Sequence, residues 1–278
     1  METHITVPDI LAAKSVRKLV MVTAADAPSA AWADAAGVDL ILVGDSLAMA
    51  ALGRPHTLTT TLAEMAHHVR AVTTSPRRAL VVGDLPFGSY QASVAQAVGS
   101  ACELVAAGAA AVKLEGPRAA EVAAIVAAGI PVVGHLGLTP QSLHLIGGYR
   151  VQGKEAAAAR RLLEQARELE AAGAFAVVLE AVPPVLGARI TQRLAVPTIG
   201  IGAGPDCDGQ VLVYADLLGF ASGPQPRFVR RYAELGAAAI EAIRRFAADV
   251  RDGRYPAPEE SYPSPAGLEE ALAAGEEA

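Results

Sequence analysis

Cysteine is scarce in this chain: two occur in 278 residues, Cys102 and Cys207, far apart and with no Cys or His at metal-ligand spacing. That disfavours a disulfide scaffold and a structural zinc site. Aromatic residues are few, at 4%, so an aromatic-rich β-sandwich is a poor fit. There is no excess of positive charge. Six of the 29 acids (Glu259, Glu260, Glu269, Glu270, Glu276 and Glu277) follow Arg254, after which no Lys or Arg occurs, and the remaining 23 acids meet 23 basic residues. A nucleic-acid partner needs a basic body, and this chain has none. Long apolar runs are missing too. Val122–Gly134 is broken by Gly129 and Pro131 and is too short to span a bilayer. Asp9, Lys14, Arg17 and Lys18 interrupt Met1–Leu19, which therefore does not read as a secretion signal. A soluble cytoplasmic protein with no membrane partner is expected.

What is present is apolar and small-residue rich: 52% hydrophobic against 19% charged, ample for a large core. Short β-branched runs alternate with longer alanine-rich stretches. Strands are predicted at Leu19–Ala24, Leu40–Gly44, Leu80–Gly83, Ala111–Leu114, Pro131–Gly134, Ala176–Leu179, Thr198–Ile201 and Val211–Val213. Ala36-Gly37, Ala107-Gly108, Ala128-Gly129 and Ala172-Gly173 precede four of them, the mark of a helix closing on glycine before a buried strand. Eight such units predict a closed (β/α)8 barrel in one domain, 1–254, ending in an amphipathic helix from Phe228 to Asp252. The eighth strand follows the seventh closely and leaves little room for a helix. Residues 255–278, rich in Pro and Glu, are expected to form a mobile acidic tail. Gly137–Gly153 has no clear helical period and reads as a lid over an active site.

The acids fall where chemistry is expected. Asp45, Asp84, Glu115 and Glu180 each follow a run that should be buried, at the strand ends that converge on one rim of such a barrel. An acid in that place can also cap the following helix. Four together repel one another unless a cation compensates, and a hard ion such as Mg²⁺ with oxygen ligands does so. Lys113 lies two residues before Glu115, so alternation turns both into the barrel. There it pairs with a substrate carboxylate or with Glu115 or Asp84; a Schiff-base role is the less favoured reading. His135 points to the same rim, to orient a substrate oxygen or simply to be satisfied there. Ser46 offers a hydroxyl and an N–H beside Asp45. His67 and His68 read as surface residues, and Gly200, Gly202 and Gly204 as a tight loop.

These residues lie within a set of motifs. V-G-D-S-L (43–47), G-D-L-P-F (83–87), V-K-L-E-G (112–116), G-H-L-G-L-T-P-Q-S (134–142), G-G-Y-x-V-Q-G (147–153) and I-G-I-G-A-G (199–204) together resemble the ketopantoate hydroxymethyltransferase family, from about Val7 to about Tyr262. The resemblance implies a (β/α)8 barrel of the phosphoenolpyruvate/pyruvate type, Mg²⁺ dependence, a homodecamer, and 5,10-methylenetetrahydrofolate as donor to a small 2-oxo acid. It implies Asp45, Asp84 and Glu115 as metal ligands, Ser46, Asp84 and Lys113 with the backbone near Asp45 around the ketoacid, and Glu180 as general base; His135 is added to the ketoacid contacts on its rim position alone. Two positions depart from the family pattern: Ala25 stands where a tyrosine is usual, and Pro117 where a second glycine is usual. A lyase of the same barrel group, needing no folate, and a barrel without catalysis are the competing readings.

Overall fold

The computed structural model describes residues 4–220 and 225–275. Eight strands, β1 (Leu19–Thr23), β2 (Leu40–Val43), β3 (Leu80–Asp84), β4 (Ala111–Glu115), β5 (Val132–Gly137), β6 (Ala176–Glu180), β7 (Thr198–Ile201) and β8 (Gly209–Leu212), pair in parallel in chain order. β8 returns to pair with β1, and the sheet closes into a barrel. Twelve α-helices are described: α1 (Val7–Ala12), α2 (Ala27–Ala35), α3 (Leu47–Ala50), α4 (Leu62–Thr73), α5 (Val94–Ala106), α6 (Ala119–Ala127), α7 (Leu143–Ile146), α8 (Ala156–Ala171), α9 (Pro184–Arg193), α10 (Tyr214–Leu217), α11 (Leu235–Arg251) and α12 (Leu268–Gly275). Among the described residues no helix is long and apolar enough to cross a membrane.

Strand alternation sorts the side chains into two clusters. Leu19, Met21, Leu40, Leu42, Leu80, Val82, Ala111, Val133, Ala176, Val178, Ile199 and Val211 fill the barrel, and Ile5 and Ile10 at the start of the chain join them. Ile41, Val81, Val112, Val132, Val177 and Leu179 point outward against the helices. Because side chains alternate, residues 84, 113, 115, 135 and 180 continue the inward rows and form a polar layer above the apolar stack. The hand-over from helix to strand follows the expected glycines. Gly108 has φ of +112°, and a Cβ there would sit 2.7 Å from Thr73 Oγ1, so a larger residue is opposed by both backbone and space.

The boundaries differ from the sequence reading in instructive places. β3, β4 and β6 each run one residue further, so Asp84, Glu115 and Glu180 are the last strand residues rather than the first of a loop. β5 extends to Gly137, which pairs with Glu180 of β6, so His135 lies inside a strand. β8 begins at Gly209, two residues before the expected run, because Gly209 and Gln210 pair with Leu19 and Val20 although neither is apolar. Residues 202–208 join β7 to β8 without a helix. Asp208 pins that short link, accepting from Thr198 N–H at 2.9 Å and from Lys14 Nζ at 2.7 Å. The terminal helix starts at Leu235, not Phe228. In the acidic segment after Arg254, where the sequence pattern showed no helix, α12 forms with Glu269 and Glu270 in its first turn, where negative charge favours a helix.

Candidate active site

A cavity of about 580 Å³ opens above the polar layer, at the C-terminal ends of the strands. Asp45, Ser46, Asp84, Lys113, His135 and Glu180 all line it. The residues expected from the sequence to share a rim therefore meet, drawn from β3 to β6 and the loop after β2. Glu115 is buried but does not line the cavity; it stands behind, against Lys113 at 3.9 Å and His135 Nδ1 at 3.4 Å. Ser46 lies beside Asp45 at the start of the one-turn helix α3. A smaller cavity of about 270 Å³ lies outside the barrel between the 137–153 loop and α8 and holds none of these acids.

Charge is crowded here. Lys113 Nζ is 2.8 Å from Asp84 Oδ1 and 3.3 Å from His135 Nδ1, while His135 Nε2 is 3.3 Å from Glu180 Oε2. The Asp84 contact is an ion pair whose angles fall outside hydrogen-bond geometry, leaving Oδ1 without a hydrogen bond. Asp84 Oδ2 accepts from the Asp45 N–H at 3.2 Å. Burial raises the Asp45 carboxyl well above the usual range, and repulsion from Asp84 and Glu115 adds to it. Burial raises Asp84 too, despite Lys113. For Glu115, burial pulls upward, but His135, Lys113 and the Gln141 N–H together outweigh it, and the carboxyl is held low. Burial and Lys113 push the His135 ring down, yet Glu115 and Glu180 hold it at about 9. Lys113 is held firmly charged because the three surrounding acids outweigh its burial.

This donor set fits a hard divalent cation. Four carboxyl groups share the site with two cationic groups, Lys113 and His135, so ionising all four leaves it two positive charges short of neutrality. Among the described residues no three His, Cys, Asp or Glu side chains form a ready-made ligand cage. Mg²⁺ does not need one, because it usually keeps several waters and binds through one or two carboxylates plus substrate oxygens.

The match to known proteins is extensive. A profile of the ketopantoate hydroxymethyltransferase family matches residues 4–258. A 3-methyl-2-oxobutanoate hydroxymethyltransferase of Oleidesulfovibrio alaskensis is 54% identical over 273 residues, 95% of this chain and 94% of the relative. One from Ignicoccus hospitalis is 53% identical over 255 residues, 91% of this chain and 97% of the relative. The chain belongs to the ketopantoate hydroxymethyltransferase family. It is accordingly a transferase. The fold is shared more widely. A phosphonopyruvate hydrolase solved with oxalate and Mg²⁺ superimposes with a TM-score of 0.60 at 17% identity, covering 98% of this chain and 95% of that one. A 2,3-dimethylmalate lyase of the PEP mutase/isocitrate lyase superfamily gives 0.57 at 17% identity, with 98% of each chain covered. The (β/α)8 barrel fold that the family resemblance implied is thus shared with these structures.

Two buried residues of this family member were not singled out from the sequence, although both build the site. Gln141, in a turn after β5, donates from Nε2 to Asp45 Oδ2 and to the Leu85 carbonyl, both at 2.9 Å, and its own N–H donates to Glu115 Oε2 at 3.0 Å. Tyr90 donates its hydroxyl to Gln141 Oε1 at 2.6 Å and accepts from the Glu115 N–H at 3.1 Å. Together they hold Asp45 and Glu115 in place from behind. Only the glutamine within G-H-L-G-L-T-P-Q-S hinted at this. The 137–153 loop contributes Pro140 and Tyr149 to the cavity wall. His67 is exposed; His68 is half-buried, with Nδ1 2.6 Å from the Ala25 carbonyl. Ala25, in place of the family tyrosine, is buried and does not line the cavity.

The Glu180 backbone is held closely. The next residue, Ala181, has φ of +46°, an unfavourable value for a non-glycine residue. Gly137 beside it has φ of +96°, and a Cβ there would lie 2.2 Å from the Glu180 carbonyl oxygen. Gly137→Ala is expected to cost about 1–3 kcal/mol through overpacking. By displacing Glu180 by an ångström or so it should also slow turnover about 100-fold. Urea unfolding together with steady-state rates checks this; an alanine variant of normal stability and rate would show that the strand end yields freely.

Proposed function

We propose that this protein transfers a hydroxymethyl group from 5,10-methylenetetrahydrofolate to 3-methyl-2-oxobutanoate, giving 2-dehydropantoate, the first step of pantothenate synthesis. The observation that carries the reading is the single cavity in which Asp45, Asp84 and Lys113 stand on one side and Glu180 on another strand across from them. The names of the relatives, 3-methyl-2-oxobutanoate hydroxymethyltransferases, support the substrate. Asp45 and Asp84, backed by Glu115, would hold Mg²⁺. When bound, the ion would polarise the keto oxygen and stabilise negative charge developing on it.

The chain's own groups do the rest. Lys113 and Ser46 receive the substrate carboxylate, Lys113 by charge and Ser46 by its hydroxyl. Glu180 takes the proton from C3, and His135, in contact with Glu180 Oε2, fixes the direction from which the carboxylate approaches. C3 then bonds to the one-carbon unit. Its two bonds to folate nitrogens are replaced by the new C–C bond and by a hydroxyl from water, and tetrahydrofolate leaves.

Proton NMR of 3-methyl-2-oxobutanoate in D2O with protein, Mg²⁺ and donor tests this. Loss of the C3 proton and formation of 2-dehydropantoate, both blocked by EDTA, are expected. Exchange without any folate-dependent product would favour a lyase, and neither event would remove the catalytic reading altogether. Cys102 and Cys207 are both free thiols, which supports a reducing, cytoplasmic setting.

The same reading includes a homo-oligomer, a decamer by family resemblance. α11 has no buried residue in the single chain; Ile240, Ile243 (66% exposed), Phe246 (54% exposed) and Val250 leave an apolar stripe along it. A second copy covering that stripe removes the stripe from water. Ile243→Glu with Phe246→Glu is expected to give a smaller species by light scattering, and an unchanged mass would place the contact elsewhere.

A further inference from the structure

The cavity is larger than one small 2-oxo acid fills, lying within the ~300–1,000 Å³ typical of sites that enclose drug-sized ligands. The ketoacid side is built from β3 to β6 and the loop after β2. The remaining wall comes from β7, β8, α10 and residues 225–228, and the reaction outlined above leaves it unused. Ile201, Val213, Pro226 and Phe228 make that wall apolar, with Phe228 offering a flat ring. Two polar groups interrupt it. Asp216, on α10, is half-buried, and among the described residues no hydrogen bond to its carboxylate is present. Gln225 Nε2 is buried, and among the described residues it has no hydrogen-bond partner. Buried polar atoms are nearly always paired, so this donor, on a residue that lines the cavity, is one that a small side-chain rotation lets a ligand's acceptor complete.

We propose that Asp216 and Gln225 form the subsite for the pterin head of the one-carbon donor. The Asp216 carboxylate accepts from the ring N–H and the neighbouring 2-amino group, and Gln225 Nε2 donates to the ring carbonyl. This inference rests on the folate donor proposed above. A carboxylate next to an amide donor is the complement of that donor-donor-acceptor edge, and the apolar walls take the faces of the ring. Burial raises the Asp216 carboxyl above its usual range, with Arg231 pulling the other way, and a ligand edge that donates two hydrogens to it favours the charged form that accepts both.

Calorimetry of tetrahydrofolate binding tests the subsite apart from turnover. Asp216→Asn keeps the shape but presents an amide N–H to the pterin donors, and Gln225→Leu removes the buried donor. The expected loss of tetrahydrofolate affinity is about ten- to a hundredfold for Asp216→Asn and about tenfold for Gln225→Leu. Affinity for 3-methyl-2-oxobutanoate with Mg²⁺ should stay within about twofold in both, as expected for well-separated groups, and this also reports that each variant is folded. A tetrahydrofolate analogue lacking the 2-amino group should bind the unaltered protein more weakly, with little further loss in Asp216→Asn. If both variants bind tetrahydrofolate as tightly as the unaltered protein, the subsite is overturned while the donor stands. If the unaltered protein neither binds tetrahydrofolate nor forms product from its methylene derivative, the donor reading falls and the subsite with it.

Discussion

Glu180→Gln is expected to lower turnover by about 10²–10⁴-fold, the usual worth of a general base. Glutamine preserves the length of the side chain and its contact with His135 but cannot take the C3 proton. Glu180 is the one rim acid on β6 and meets no lysine; its contact is the His135 ring at 3.3 Å. Asp45 and Asp84 stand apart from it, on the side of the cavity where Lys113 lies. Affinity for ketoacid and Mg²⁺ should therefore stay within a few-fold by calorimetry, while deuterium exchange at C3 disappears. This pairing separates a base from a mere binding group, whose removal would weaken affinity and rate together. A variant with near-normal exchange would sink the assignment, and His135 would be the next group to examine.

Lys113→Met should have the largest effect on stability. Lys113 is buried at 3% exposure and lies within 4 Å of both Asp84 and Glu115. Methionine matches its stem but leaves the buried acids with His135 as their nearest cation. Removing one partner of a buried ion pair costs about 3–5 kcal/mol, because the remaining charge has lost both water and partner. At about 2–4 °C per kcal/mol for a chain approaching this size, the thermal midpoint measured in EDTA should fall by roughly 6–20 °C. Added Mg²⁺ should restore part of the loss, since it brings positive charge to the same acids. Ketoacid binding should not recover, because the group proposed to receive its carboxylate is gone. A variant as stable as the unaltered protein in EDTA would mean that the acids relieve their repulsion without the lysine.

Much of this arrangement was legible in the chain itself. The strands announce themselves as short apolar runs bounded by glycine, and a charged residue at the end of such a run must lie at a strand end. The two-residue spacing of Lys113 and Glu115 places both inside the barrel, because strand side chains alternate. Where local signal failed, tertiary pairing took over. Gly209 and Gln210 are poor strand residues by themselves, yet they complete the barrel against Leu19 and Val20, nearly two hundred positions earlier. Gln141 looks like an ordinary turn residue until the fold brings it to Asp45, Leu85, Tyr90 and Glu115. Asp216 and Gln225 carry no motif and gain meaning only as two walls of one cavity.

The sequence by itself thus determined the repeating strand–helix unit, the family, and which strand ends carry charge, since each depends on neighbours a few residues away. Only the closed barrel decided that Asp84 pairs with Lys113, that Glu115 turns from the cavity toward His135, and that Glu180 stands across from the other acids. Those contacts join residues from different strands, and no local preference of the backbone encodes a distance that exists only once the sheet has closed on itself.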